Sequence, residues 1–109
     1  GDLMYEYQGT ILRVVDGDTV DAEVDLGFDV RFTMRLRLFG INAPEMKTPA
    51  GPLAKEHLDE LLGDEVITVR TKKDKQEKYG RYLATLILAD GTNVNLEMIA
   101  DGHAVVYLL

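Results

Sequence analysis

The 109-residue sequence contains no cysteine, no tryptophan and only three prolines. Without cysteine, neither a disulfide framework nor a thiolate metal site can form, so any metal site must use oxygen or imidazole ligands. No apolar run approaches the roughly 20 residues that a membrane-spanning helix requires. Residues 1–8 are also too polar for the apolar core of a secretory signal. We therefore expect a soluble chain with no membrane partner.

The length and composition predict one folded domain. Hydrophobic residues make up 46% and charged residues 28% of the chain, an ordinary balance for a globular protein. A chain of this size can bury one core but not two, so we predict a single domain over residues 1–109 and a monomer. The compartment stays open: a native start at Met4 indicates a cytoplasmic protein, whereas a removed leader indicates a secreted one.

The net charge of −7 is unevenly distributed along the sequence. Ten of the twelve lysines and arginines lie in residues 31–47 and 70–81, with only three acids among them, so these two segments carry +7 and the rest −14. Such segregation is expected if a basic groove faces phosphates on an otherwise acidic protein. It is equally expected if the charges only mark solvated strands and a turn.

Hydrophobic periodicity predicts five strands and two helices. The predicted strands are 10–15, 19–24, 30–38, 65–71 and 82–88, and the predicted helices are 52–62 and 94–100. Residues 42–52 are interpreted as a loop, 72–78 as a loop or wide hairpin, and 103–109 as extended or irregular. Short antiparallel strands with a helix inserted after the third and a short helix near the end match an α+β OB-fold, a five-stranded Greek-key barrel.

The third predicted strand alternates without interruption. Its odd-numbered positions from 31 to 37 are polar, and three of them are arginine, whereas its even-numbered positions from 30 to 38 are apolar. This pattern predicts a strand with one buried and one basic face. The predicted helix 52–62 presents an apolar stripe at three-to-four spacing, formed by Leu53, His57 or Leu58, Leu61 and Leu62.

Two short segments carry carboxylates in loop-forming contexts. In residues 16–19 (DGDT), Asp18 could offer a carboxylate oxygen to Ca²⁺ or Mg²⁺, although aspartate and glycine are also what tight turns select. In residues 42–45 (NAPE), Asn42 and the Ala43 carbonyl could complete a metal site while Glu45 takes a proton from water. Taken alone, each segment is better explained as an ordinary turn or solvated loop.

Two basic segments could bind a phosphate. Arg37 from the third strand and Arg81 from residues 78–81 (KYGR) could fork onto one phosphate and neutralise developing charge. Tyr79 could stack on a base, although tyrosine beside glycine in a hairpin more often only packs. Each of these residues alone is commonly a surface residue.

The motifs VVDGDTV, RLRLFGINAPE and EKYGRYLA, in this order and at these separations, resemble the thermonuclease family typified by staphylococcal nuclease. The resemblance runs from about residue 10 to residue 107. It implies an OB barrel, in agreement with the strand pattern. It also implies a nuclease that cleaves DNA and RNA with little sequence preference and leaves 3′-phosphates. The last helix of the family has no counterpart in this chain.

The resemblance also implies roles for individual residues. Asp18, Asn42 and the Ala43 carbonyl correspond to ligands of one Ca²⁺, and Glu45 corresponds to the general base. Arg37 and Arg81 correspond to the arginines that grip the scissile phosphate. The substrate-binding positions are Lys78, Tyr79 and Tyr107, the last with a register offset of one.

Asn42 departs from the family pattern, which has aspartate at the second metal ligand. An amide keeps an oxygen ligand but removes a negative charge, so we predict weakened Ca²⁺ binding. The alternative is a catalytically weak or inactive OB module that binds nucleic acid without cutting it. The intact set of Glu45, Arg37 and Arg81 favours the nuclease. The histidines His57 and His103 are interpreted as packing or surface residues.

Overall fold

The structure, a computed structural model, describes residues 4–76 and 81–107. Within these residues, seven strands and two helices follow one another. They are β1 (Met4–Asp16), β2 (Thr19–Asp25), β3 (Arg31–Leu38), β4 (Ile41–Asn42), α1 (Ala50–Leu62), β5 (Ile67–Gln76), β6 (Tyr82–Ile87), α2 (Val94–Ala100) and β7 (Val105–Val106).

Five of the strands close into a barrel in the order β1-β2-β3-β6-β5. Neighbouring strands are antiparallel except for β3 and β6, which run parallel over Leu36–Leu38 and Tyr82–Ala84. The helix α1 is inserted after β3 and β4, and α2 follows β6. The predicted α+β OB-type barrel is therefore confirmed. The short strands β4 and β7 form a separate two-stranded sheet, in which Asn42 pairs with Val105.

The interior of the barrel is filled by aliphatic residues at alternate positions of its strands, because successive side chains of a strand point to opposite faces. The buried set includes Val20, Ala22, Val24, Leu36, Leu38, Ile67, Val69, Ala84 and Leu86. Removing this much apolar surface from water is the main favourable contribution to the fold.

The alternation predicted for β3 holds, but only its second half is buried. Leu36 and Leu38 are fully buried, whereas Val30 and Phe32 are each about half exposed. The reason is the pairing of the strand: β6 reaches only Leu36–Leu38, so within the described chain the earlier residues of β3 pair with β2 alone.

Of the two interpretations of residues 72–78, a wide hairpin fits residues 72–76 and a loop does not, because β5 continues to Gln76 and pairs antiparallel with β6. The backbone of β5 pairs with the start of β1, where Met4 lies opposite Lys72, and Gln76 lies opposite Tyr82 of β6. The strand β1 likewise begins at Met4, earlier than predicted. Ladder hydrogen bonds extend both strands beyond their apolar residues, and composition alone does not reveal such long-range pairing.

The helix α1 begins at Ala50, with Pro52 in its first turn, where a missing N–H costs no helical hydrogen bond. Its buried residues are Gly51, Ala54, Leu58 and Leu62. The predicted stripe is therefore wrong at Leu53, which is 58% exposed. Two small residues lie on the buried face instead. Among the described residues, neither helix is long and apolar enough to cross a membrane.

The second helix is capped and anchored by asparagines. Asn93 accepts a hydrogen bond from the Leu96 N–H, a typical N-cap. The buried Asn95 amide donates to the carbonyls of Phe39 and Ala84. His57 of α1 pairs with Asp101 at 2.6 Å and stacks on His103, so the two histidines join α1 to the end of α2.

The tip of the β2–β3 hairpin holds a strained phenylalanine. Phe28 has φ +54° and its side chain is fully exposed, so no packing offsets the strain. The left-handed region costs an L-residue with a Cβ about 1–2 kcal/mol relative to the ordinary regions. Phe28→Gly is therefore expected to stabilise the protein by about 1 kcal/mol, as measured by urea unfolding.

A control for this prediction is Phe32→Gly, which removes a partly exposed phenylalanine from a regular strand. Glycine costs stability in a strand interior, so this variant should be less stable than the wild type. If Phe28→Gly is also destabilised, the tip conformation is not strained in solution.

Candidate functional site

Asp18 lies at the tight turn between β1 and β2 with its side chain largely buried. Its Oδ1 accepts a hydrogen bond from Thr19 Oγ1 at 3.0 Å, and its Oδ2 accepts one from the Ala43 N–H at 2.8 Å. The Asp18 N–H donates to Asp16 Oδ1. The two loop segments singled out in the sequence, 16–19 and 42–45, are thus joined by a direct hydrogen bond.

Burial raises the pKa of the Asp18 carboxyl above its ordinary value, and the neighbouring Asp16 raises it further. The Ala43 N–H and the positive charge of Arg37 act in the opposite direction but do not outweigh burial. A buried carboxylate next to a second acid is a site at which a cation would relieve electrostatic cost.

The close approach of the Asp18 turn to the rest of the site depends on a glycine. A Cβ added at Gly17 would lie 2.7 Å from the Ala43 Cβ and 2.8 Å from the Ala54 Cβ of α1. Because real Cβ atoms do not approach so closely, a larger residue here would push the turn away from Ala43 and α1.

Arg37 brings its guanidinium to the same place from β3. Its Nη2 lies 3.2 Å from Asn42 Oδ1 and 3.5 Å from Asp18 Oδ2, and its Nη1 donates to the Leu38 carbonyl at 3.0 Å. Only 11% of the Arg37 side chain is exposed. One buried cation therefore bridges the two side-chain oxygens that were predicted as metal ligands.

Glu45 lies in the turn before α1, and its side chain contacts Lys47 instead of Asp18 or Arg37. Its carboxylate is 71% exposed and lies 3.2 Å from Lys47 Nζ. Its carbonyl accepts hydrogen bonds from the N–H and Oγ1 of Thr48. In the described part of the chain, no hydrogen bond or ion pair joins the Glu45 carboxylate to Arg37 or Asp18.

Arg81 directly precedes β6. Because Leu83 is in parallel register with Arg37, Arg81 enters the sheet beside the strand that carries Arg37. Tyr107 follows β7, and its N–H donates to the Gly40 carbonyl at 2.8 Å, next to β4. Lys78 and Tyr79 lie outside the described residues.

A cleft of about 230 Å³ opens beside the predicted ligands. Asn42, Ala43 and Pro44 form one wall, and residues 102–105, which include His103, form the other. There is consequently open volume next to Asn42 and Ala43.

The other arginines of β3 are paired with acids of β2. Arg35 makes two hydrogen bonds to the Asp21 carboxylate, at 2.8 and 3.1 Å, and these lower the pKa of Asp21. Arg31 Nε lies 3.8 Å from Glu23 Oε1. Of the two interpretations of the charge pattern, solvated strand pairs therefore describe Arg31 and Arg35. Arg37 is the β3 arginine that lies at the predicted site.

The donor set fits a hard cation in type but carries little charge. Asp18, Asn42 and the Ala43 carbonyl offer only oxygen, and two of these oxygens already converge on one cationic nitrogen. In residues 4–76 and 81–107, no group of three or more histidine or acidic side chains could hold a metal. A metal here would depend on one carboxylate and neutral oxygens.

Two features of the site were missed by sequence reasoning. The hydroxyl of Thr19, which is buried, donates to Asp18. Gly51 of α1 lies so close to the Glu45 turn that an added Cβ would overlap the Glu45 carbonyl oxygen and lie 2.6 Å from the Met46 Cα. Thr19 could have been found from its place in DGDT, whereas Gly51 lay in the predicted loop 42–52, where a glycine is ordinary and gives no such signal.

Residues 35–109 match the family model described as staphylococcal nuclease homologue. The chain is 36% identical over 117 residues to Endonuclease YhcR of Bacillus subtilis. The aligned region covers 95% of this chain and 9% of that protein. The chain is also 34% identical over 105 residues to an uncharacterized endonuclease of Escherichia coli O157:H7. This aligned region covers 96% of this chain and 64% of that protein.

A micrococcal nuclease of Shigella flexneri is 34% identical over 110 residues, which cover 94% of this chain and 59% of that protein. The chain thus spans less than two thirds of the length of each of these three relatives.

Proposed function

Because the chain belongs to the family of staphylococcal nuclease homologues, we propose that it is a Ca²⁺-dependent nuclease that hydrolyses phosphodiester bonds of DNA and RNA. We further propose little sequence preference and 3′-phosphate products. The observation that carries the proposal is the convergence of Asp18 Oδ2, Asn42 Oδ1 and the Arg37 guanidinium. Oxygen ligands for a hard cation there adjoin a buried donor for a phosphate.

The reaction needs charge stabilisation and a positioned base. A Ca²⁺ held by Asp18, Asn42 and the Ala43 carbonyl would act as a Lewis acid toward a phosphate oxygen. Arg37 and Arg81 donate to the phosphate oxygens as negative charge accumulates on them. Glu45, whose carboxylate is exposed, accepts a proton from water. Lys78, Tyr79 and Tyr107 hold the remainder of the nucleotide.

The bond changes determine the products. The oxygen of water forms a bond to phosphorus as its proton passes to Glu45, and the bond between phosphorus and the 5′ oxygen breaks. One fragment keeps a 3′-phosphate and the other receives a 5′-hydroxyl after protonation. No redox partner is required.

Asn42 sets the expected dependence on metal. We expect cleavage of single-stranded DNA to require Ca²⁺ at concentrations above those that suffice for Asn42→Asp, because the added charge should strengthen binding about tenfold. The measurement is the initial rate of cleavage while Ca²⁺ is raised from micromolar to tens of millimolar. A Glu45→Ser variant should be inactive throughout, and chelation should stop the wild-type reaction.

A matched control tests the arginine. Arg35→Gln removes the same charge from the same face of β3, but Arg35 is bound to Asp21 and lies away from the site. This variant should keep wild-type activity, whereas Arg37→Gln should not. Equal losses in both variants would contradict a specific role for Arg37.

The competing function is a nucleic-acid-binding module without catalysis, and Asn42 is the observation that favours it. Such a module would bind DNA with a dependence on monovalent salt and no need for Ca²⁺. DNA binding without cleavage at any Ca²⁺ concentration, in the wild type and in Asn42→Asp, would establish this alternative.

A further inference from the structure

We propose that the Arg37 guanidinium acts as an internal cation that occupies the side-chain ligands of the metal site and must leave them when a divalent cation binds. The inference rests on the proposed function and concerns the regulation of the same site. It starts from an unexpected contact. The residue predicted to grip phosphate is instead joined to both side chains predicted to bind the metal.

The acceptor capacity of Asp18 limits how these contacts can coexist. Its Oδ2 already accepts the Ala43 N–H at 2.8 Å, and the Arg37 Nη2 lies 3.5 Å away. A carboxylate oxygen offers about two acceptor positions, and the Ala43 N–H uses one of them. The guanidinium, in ion-pair contact with Oδ2, crowds a metal that approaches the same oxygen. The same nitrogen also uses Asn42 Oδ1. Metal binding at these two oxygens therefore competes with Arg37.

Repulsion between Arg37 and a divalent cation makes their competition stronger than the sharing of the same two oxygen atoms alone would. The side chains of Arg37 and Asp18 are 11% and 10% exposed, so their charges are weakly screened by water. A divalent cation next to a guanidinium on the same two oxygens would meet direct repulsion. With Asn42 in place of a carboxylate, Asp18 is the one charged side chain among the predicted ligands, and it must serve both cations.

A second anchor keeps the released arginine at the site. The Arg37 Nη1 donates to the carbonyl of the adjacent Leu38 at 3.0 Å, and this contact does not involve the metal ligands. A small rotation about that anchor frees Nη2 for a phosphate oxygen. Arrival of the metal and availability of the arginine are thereby coupled. The metal-free site holds its own phosphate donor in an internal contact.

The test measures Ca²⁺ binding directly, by isothermal titration calorimetry without nucleic acid, in the wild type and in Arg37→Gln. Removal of the internal cation should strengthen Ca²⁺ binding about tenfold. Arg35→Gln is the matched control, because it removes an equal charge two residues along the strand, and it should change affinity by less than about threefold. Equal changes in the two variants would overturn the proposal.

A double-mutant cycle separates displacement from general repulsion. In Asn42→Asp the arginine gains a second carboxylate partner, so the internal contact is stronger and its removal should help the metal more. Arg37→Gln should therefore strengthen Ca²⁺ binding by a larger factor in the Asn42→Asp background than in the wild type. Equal factors in both backgrounds would indicate simple repulsion and contradict the competition.

Nuclear magnetic resonance reports the movement of the arginine itself. The Nε–Hε signal of Arg37 should shift as Ca²⁺ is added, whereas that of Arg35 should not. If Ca²⁺ binds but the Arg37 signal stays in place, the proposal fails while the metal-dependent nuclease stands. If no variant binds Ca²⁺, including Asn42→Asp with Arg37→Gln, the metal requirement of the proposed function fails as well.

Discussion

Gly51→Ala is expected to destabilise the protein by about 3 kcal/mol, although alanine is ordinarily the better helix former. The added methyl would overlap the Glu45 carbonyl oxygen and lie 2.6 Å from the Met46 Cα, and both of these atoms belong to backbone. Backbone cannot rotate away as a flexible side chain can, so the helix or the Glu45 turn must shift. Urea unfolding should show the loss of stability, and cleavage assays should show reduced activity.

The control for this prediction is Gly91→Ala. Gly91 has φ +91° and open space around its Cβ position, so alanine there meets only backbone strain, about 1 kcal/mol. Gly51→Ala should lose clearly more stability than Gly91→Ala and, unlike it, should reduce activity. Equal losses would show that the close approach of α1 to the Glu45 turn does not persist in solution.

Gly17 and Gly51, at which an added Cβ would meet neighbouring segments of the site, show how the site is held together. Gly17 allows the Asp18 turn to contact Ala54 of α1, and Gly51 allows the same helix to contact the Glu45 turn. The helix α1 therefore supports the predicted metal ligand and the predicted base at once, while β3 supplies Arg37 from the barrel. The relative placement of these groups depends on helix packing as well as on loop sequence.

Local patterns predicted most of the barrel because they depend on one strand at a time. The alternation in β3 and the β-rich runs of β2 and β6 were sufficient to place these strands. The extension of β5 to Gln76 was not placed because it depends on pairing with other strands. Lys72 lies opposite Met4 of β1, and Gln76 lies opposite Tyr82 of β6. The buried stripe of α1 was misassigned because close packing selected Gly51 and Ala54, which carry little hydrophobic signal.

The predicted site was harder to derive than the barrel, because the role of each charged side chain depends on the residue with which it pairs. Three arginines alternate along β3, and the alternation itself does not distinguish them, although the motif resemblance selected Arg37. The pairing register places Asp21 opposite Arg35, and a cross-strand ion pair follows, whereas Arg37 faces Thr19 at the end of the sheet where the two loops meet. The register of β2 against β3 supplies the physical reason why Arg35 forms a structural ion pair and Arg37 lies at the site.

Asp18→Asn is expected to stabilise the metal-free protein while lowering Ca²⁺-dependent cleavage on the order of 1,000-fold. The pKa of Asp18 is raised by burial and by Asp16, so the folded state disfavours the charged carboxylate. The stability that this group contributes is present below its unfolded pKa and is lost as the pH rises through the higher folded pKa. The neutral amide avoids that loss, and its oxygen can still accept the Ala43 N–H.

The direction of the stability change caused by Asp18→Asn can be measured by thermal unfolding in the presence of a chelator, from about pH 3 to about pH 8. Asp21→Asn is the control. The Arg35 hydrogen bonds lower the pKa of Asp21, so its contribution is present above the unfolded pKa and is lost as the pH falls through the folded one. At neutral pH, Asp18→Asn should raise the melting temperature and Asp21→Asn should lower it. Both differences should shrink in acid. A lower melting temperature for Asp18→Asn at neutral pH would mean that Arg37, Thr19 and Ala43 together stabilise the carboxylate beyond its burial cost, and the expected direction of the stability change would be wrong.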